Sequence, residues 1–144
     1  MAADKVYEAN EDTDTVSVLD AALFKTLANF RVGKMPHNVQ VSPDGKLVWV
    51  ANNGELGQAV DASAHKGKAK GDRDAMGKPR AICAIDTSSD AVVAKVLVGM
   101  HPAHVVVSPD GRFAYGNNGG DNTVSVIDTL RADDACSLLF ACKA

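Results

Sequence analysis

Three histidines fall where the chain also supplies soft donors. His37 follows Met35-Pro36, and His101 and His104 bracket Pro102-Ala103 directly after Met100. Imidazole nitrogens and thioether sulfurs are ligands of transition metals and of haem iron, so His37, His101 and His104 are candidate ligands for a divalent metal or haem, with Met35 or Met100 as soft neighbours. The competing reading is that these rings orient loops by hydrogen bonding. The spacing across Pro102 is not that of HExxH, which sets two rings on one helix face.

A second group of chemistry-bearing residues is basic. Between 65 and 80 lie Lys66, Lys68, Lys70, Arg73, Lys78 and Arg80, interleaved with glycines and only two acids, Asp72 and Asp74. Such a segment cannot bury an apolar face and is expected to be an exposed loop. It is a candidate contact for an anionic partner, a phosphate or a membrane surface, and the alternative is a solvated insertion. Asp72-Arg73-Asp74 with Glu55 lacks the remaining spacing of a calcium loop. No GxSxG, Walker loop or ordered Ser/His/Asp set occurs, so nothing in the chain demands catalysis.

The elements that must position these residues repeat. Pro36-His37-Asn38-Val39-Gln40-Val41-Ser42-Pro43-Asp44-Gly45 continues to Asn52 and matches Pro102–Asn118 at eight of 17 aligned positions. Thr15-Val16-Ser17-Val18-Leu19-Asp20 matches Thr123-Val124-Ser125-Val126-Ile127-Asp128, with a weaker form at Ala81–Asp86. Asp20 to Pro36 and Asp86 to Pro102 are both 16 residues, so the two modules keep one register and mark a duplication. In that register His101 matches Met35 and His104 matches Asn38. Trp49 matches Tyr115, a pair expected to pack between repeats.

Each module alternates apolar and polar residues with the period of a strand. In Ser-Pro-Asp-Gly, proline presets φ, aspartate bonds the local backbone and glycine accepts a positive φ, which makes a hairpin turn. Asp44, Asp110, Asp20 and Asp86 are accordingly read as turn and strand-end residues. Asn117-Asn118-Gly119-Gly120-Asp121-Asn122 breaks the next connection. Four antiparallel strands in about 40 residues describe one blade of a propeller, so the predicted fold is all-β, a partial propeller of about three four-stranded blades in an incomplete ring.

Val-Ser-Pro-Asp-Gly, Val48-Trp49-Val50-Ala51-Asn52 and Asn122–Thr129 together resemble the YVTN-type β-propeller repeat, over about residues 5–129. That family is similar to lactonase-like propellers and to the propeller domain of haem-containing nitrite reductases. The Gly-His and Trp-Asp marks of WD repeats are missing. The resemblance implies a periplasmic, secreted or surface protein. By the family's layout the strand after each blade-to-blade connection lies nearest the axis, so His37, Asn38, His101 and His104 would ring one mouth of the channel. The blade motifs say little about activity, and the chain is read as a non-catalytic scaffold for a protein or small-molecule ligand without a cofactor. The alternative is a piece of a haem-dependent nitrite reductase-like or lactonase-like enzyme.

The same register counts the blades. Residues 5–35 supply the last three strands of one. Residues 36–101 supply a whole blade with an insertion at about 54–80, and 102–129 the first three strands of another; 130–144 is a divergent tail in which Leu138-Leu139-Phe140 could form a poor edge strand. Without the insertion's 24 extra residues, 120 remain, just under three units of about 42. Closure takes about four blades or more, so the chain is expected to be a fragment of a longer propeller, a subunit that assembles with other copies through open blade edges, or a truncated product.

The bulk properties agree with a globular chain. Apolar residues are 46% and charged residues 23%, with a net charge of −3 that argues against a nucleic-acid partner. No apolar run approaches the ~20 residues of a membrane-spanning helix, and the N-terminus has no intact signal peptide. Of the three cysteines, Cys83 sits in an apolar run and reads as a small core residue; Cys136 and Cys142 lie in the tail, free to pair or stay reduced.

Overall fold

The computed structural model describes residues 4–54, 80–130 and the strand 138–140. They form eleven strands: β1 (Lys5–Asn10), β2 (Thr15–Asp20), β3 (Thr26–Arg31), β4 (Pro36–Val41), β5 (Leu47–Asn52), β6 (Arg80–Asp86), β7 (Ala91–Val98), β8 (Pro102–Val107), β9 (Phe113–Asn118), β10 (Thr123–Asp128) and β11 (Leu138–Phe140). Three antiparallel sheets result, in the orders β1-β2-β3, β4-β5-β6-β7 and β8-β9-β10-β11. The fold is all-β, as the period-two patterning predicts. Among the described residues no helix is long and apolar enough to cross a membrane.

The turns form for the reasons their residues suggest. Ser42 Oγ donates to Asp44 Oδ1 at 2.6 Å, the Lys46 N–H donates to the same oxygen, and Gly45 takes φ +72°. Ser108, Asp110, Arg112 and Gly111 repeat this atom for atom. The serine hydroxyl and that N–H hold both carboxyls below the ordinary aspartate range. Asp20 and Asp86 close the next turns by accepting N–H bonds two and three residues on. At Asp86 the Ser88 hydroxyl, with the Ser89 N–H and hydroxyl, lowers the carboxyl to about 2.

Each sheet has two unlike faces, and the sheets stack unlike face to unlike face. One face carries an aromatic residue in a single register: Tyr7, Trp49 or Tyr115. The other carries small or branched residues: Val48, Val50 and Ile85 in the second sheet, Ala114, Gly116 and Ile127 in the third. Between the first two sheets Val16, with Tyr7 and Phe30, packs on Val48, Val50 and Ile85. Between the second and third, Trp49, Ala51, Ile82 and Val96 pack on Val105, Ala114 and Ile127. Gly116 lets the latter pair close up, because a Cβ there would overlap Ile82 Cδ1. Lys5 Nζ and the Tyr7 hydroxyl extend the first junction by bonding the Asp90 carboxylate at 2.8 and 2.9 Å.

Trp49 is fully buried, as its register predicts, but Tyr115 is 39% exposed. The difference has a simple cause: Trp49 faces the third sheet, whereas Tyr115 lies on that sheet's far side, against which no described residue forms a further sheet.

Candidate functional site

The histidines sit at the ends of β4 and β8, the first strand of the second and of the third sheet. Both strands carry a bulge there. Pairing jumps from Pro36↔Asn52 to Asn38↔Ala51, leaving His37 as the extra residue, and from Pro102↔Asn118 to Val105↔Gly116. A bulge interrupts the ladder and re-aims a side chain, which is why such irregularities gather at binding sites. The freed amides are taken up by asparagines. Asn117 Oδ1 accepts the His104 N–H at 2.7 Å, and Asn38 Oδ1 reaches across the sheet junction to accept the Val105 N–H at 2.9 Å. Asn38 thus fixes β8 against β4.

This bracing brings His37 and His104 together. Their rings meet edge to face with centroids 5.8 Å apart, and both residues are exposed. His37 Nδ1 lies 3.1 Å from the Ala103 carbonyl, which can only accept, so that nitrogen is the donor. His101 is placed differently. Its Nδ1 lies 3.1 Å from Asn53 Oδ1, and its backbone takes φ +52° while its carbonyl accepts the Gly119 N–H. Met35, its counterpart, takes φ +50° and accepts the Asn53 N–H in the same way. The connection is therefore a repeated backbone device whose side chain varies.

Among the described residues no group of three His, Cys, Asp or Glu side chains gathers in a way that would hold a metal ion. Of the histidines, His37 and His104 share a ring contact, and His101 is tied to Asn53. None of the three rings bonds a carboxylate or hydroxyl among the described residues; His37 is oriented by a backbone carbonyl and His101 by an asparagine.

Of the basic candidates, Lys66, Lys68, Lys70, Arg73 and Lys78 lie outside the described residues. Arg80 departs from the expectation of an exposed loop: it opens β6 paired with Val98 and is 4% exposed. Cys83 is buried, and burial pushes its thiol up, as suits an inert core residue; Cys136 and Cys142 lie outside the described residues.

One repeated feature escapes a strand-by-strand reading of the sequence. Asn10 Nδ2 donates to Thr15 Oγ1 and Ser17 Oγ, and Asn118 Nδ2 donates to Thr123 Oγ1 and Ser125 Oγ at 3.0 and 2.9 Å. In the middle sheet Ala81 and Cys83 stand at the two hydroxyl positions, and Asn52 Nδ2 bonds the Ala81 carbonyl and Cys83 Sγ instead. Gly33 and Gly99 lie over the amides of Asn52 and Asn118, where a Cβ would collide. These clamps lock the strand ends beside the histidine-bearing connections. Aligning Asn10 and Asn118 with the Thr-x-Ser that begins five residues after each would have found them.

No protein-family model and no curated protein sequence matches the chain. Solved structures do. A hydrazine synthase from Kuenenia stuttgartiensis shares 23% identity at a TM-score of 0.68, over 89% of this chain and 30% of that one. The dihydro-haem d1 dehydrogenase NirN, determined in complex with DHE, shares 19% identity at 0.68, over 97% and 25%. A 6-phosphogluconolactonase-like protein from Bacteroides fragilis shares 20% at 0.59, over 95% and 34%. The chain thus spans a quarter to a third of the length of these proteins, and the likeness is one of fold. Three stacked antiparallel sheets with unlike faces, superposing on propeller proteins, make this chain a partial β-propeller of three blades in an open ring.

Proposed function

We propose that the chain is a non-catalytic scaffold, built of YVTN-type repeats, that binds a protein or small-molecule ligand at the mouth formed by His37, Asn38, His101 and His104. One observation carries this reading: two exposed imidazoles are held 5.8 Å apart on neighbouring blades by bulges and asparagine braces, and neither ring bonds a carboxylate or hydroxyl among the described residues. Preorganised rings with free edges suit stacking and hydrogen bonding to a ligand. Nucleophilic or acid–base chemistry would need an oriented partner for the ring. The Val-Ser-Pro-Asp-Gly and Asn-Thr-Val-Ser-Val-Ile-Asp motifs support the YVTN assignment, and that resemblance supports a periplasmic, secreted or surface location.

The second reading is a haem- or metal-dependent enzyme. It is favoured by the His37 Nδ1 bond to a backbone carbonyl, the arrangement that usually orients a ligating histidine. A titration separates the two. Purified chain mixed with haem, and separately with Zn2+ or Cu2+, is expected to give no Soret shift and no uptake tighter than about millimolar on the affinity scale. A Soret shift or tight uptake abolished by His37→Ala or His104→Ala would overturn the cofactor-free scaffold and support the enzymatic reading instead. Fragment screening by amide chemical shifts should place hits on residues 35–38 and 100–104; hits scattered over the blades would count against the mouth as the binding site.

A further inference from the structure

Two asparagines beside the histidine pair have their amide groups fixed in one orientation. Asn38 Oδ1 accepts the Val105 N–H at 2.9 Å, and Asn117 Oδ1 accepts the His104 N–H at 2.7 Å. A backbone N–H can only donate, so the oxygen of each amide must face it and the nitrogen must face away. Neither Nδ2 bonds a described residue; Asn38 is half-buried and Asn117 exposed. Each amide therefore keeps both of its N–H groups for solvent or a ligand.

The neighbouring groups have the same polarity. His104 bonds no described residue through its ring nitrogens, and a neutral imidazole carries one N–H in either tautomer. His37, in edge-to-face contact with that ring, is held by the Ala103 carbonyl. The oxygens that could balance these donors, both amide carbonyls and that of Ala103, already hold one bond each. Asp121, the acid in the loop after β9, is engaged by the Met100 N–H and the Thr123 hydroxyl. The cluster stands where β4 and β8 meet, at the junction of the second and third sheets.

We propose, on the reading that the mouth is the binding site, that this donor cluster takes an oxyanion group, the carboxylate or phosphate of a small ligand. Asn38 and Asn117 are the residues that set the choice. An ionised carboxylate offers only acceptors, and N–H bonds to a charged oxygen are about twice as strong as those to a neutral one. A cation would meet N–H groups head on, and a neutral amide would use only its carbonyl. Selectivity is thus built by the same backbone bonds that brace β8.

Amide chemical shifts of the whole chain provide the test, with acetate, inorganic phosphate and acetamide as probes at neutral pH and constant ionic strength. Acetamide has the shape of acetate without its charge. Acetate or phosphate is expected to shift residues 37, 38, 103 and 104 saturably, with a dissociation constant of about 1–10 mM, at least about tenfold tighter than acetamide. Binding of acetate alone identifies a carboxylate ligand, and of phosphate alone a phosphate ligand. Asn38→Asp and Asn117→Asp each keep the oxygen that accepts the β8 N–H and replace the two donors with a negative charge. Either should weaken the anion at least about tenfold, and unchanged shift dispersion of the sheets checks that the blades stay packed. Acetamide binding as tightly as acetate overturns the oxyanion assignment and leaves the mouth as the site. So does anion binding that both variants leave unchanged. Anion shifts confined to residues away from the mouth, or no anion binding, overturn it too; the mouth itself falls only if the fragment screen also misses it.

Discussion

Replacing Trp49 by alanine is expected to remove about 3–5 kcal/mol of stability, the usual loss for a large buried aromatic. For a domain holding about 5–15 kcal/mol in total, that is enough to separate the second and third sheets and broaden the urea transition. Trp49 lies at the centre of the larger cluster, with Ile82 and Val96 from its own sheet and Val105, Ala114 and Ile127 from the next. Its Nε1 is buried and has no hydrogen-bond partner among the described residues. The indole therefore acts through area and shape, and Trp49→Phe should cost far less, under about 1.5 kcal/mol, because an unsatisfied donor is removed along with part of the ring. Tyr115→Ala, in the same register on an uncovered face, should change monomer stability by less than about 1 kcal/mol. Urea unfolding of the three variants reads the order directly. Equal losses at positions 49 and 115 would mean that Trp49 is not sandwiched between blades.

Asp14→Ala is expected to cost about 3 kcal/mol, from two sources of similar size. The carboxylate holds Lys34 through Oδ2 at 2.5 Å and accepts the Met35 N–H through Oδ1 at 2.9 Å, so it ties the loop after β1 to the connection leading into β4. Removing it leaves a half-buried ammonium and an amide unpaired, for which about 1–3 kcal/mol is reasonable once solvent screening at Lys34 is allowed for. Asp14 also has φ +60°, a left-handed conformation that costs alanine about 1–2 kcal/mol and that Asp or Asn tolerates. Asn122 occupies the same register in the third sheet with φ +54°. Asp14→Asn should accordingly keep most of the stability, losing about 1 kcal/mol with the charge.

The pH dependence of this pair has a definite sign. Burial alone would raise the Asp14 carboxyl, but the Lys34 hydrogen bond, the Met35 N–H and the Lys34 and Arg31 charges outweigh it and hold the carboxyl below the ordinary range. A folded-state value below the unfolded one means that the contribution is complete above the unfolded value of about 3.9 and is lost as pH falls through the folded value. Asp86, lowered to about 2, adds to the loss over the same window, from about 4 down to 2. Asp14→Asn should flatten that acid limb in urea midpoints measured between pH 2 and 6, with little change in slope above pH 5. An unchanged acid limb would mean that Asp14 is not ion-paired in solution.

The hairpins and sheet faces are legible in the sequence because their causes are local. Ser-Pro-Asp-Gly carries its own hydrogen bonds, and Val16/Val18 or Val48/Val50 carry the pleat. Features with tertiary causes are not legible. Phe24, Met35, Asp90 and His101 take positive φ, although nothing in a phenylalanine or a methionine favours that region; the connections between strands impose it at matched positions. The same holds for Tyr115, whose type matches Trp49 but whose exposure depends on which sheets are present to cover it. At the candidate site, histidine spacing alone suggests a ligand trio. The bulge at His37 and the Asn38 brace across the junction instead select His37 with His104, and a one-residue bulge leaves no mark in apolar periodicity.

The packing of one blade on the next is tested most directly by a single nuclear Overhauser contact. Ile82 on β6 and Gly116 on β9 are 34 residues apart in the sequence and lie on different sheets, with the Ile82 Cδ1 methyl occupying the space a Gly116 side chain would take. A strong cross-peak between that methyl and the Gly116 Hα protons is the expected result. Its absence in a spectrum where both resonances are assigned and sharp would contradict the stacking of these sheets, and with it the propeller arrangement.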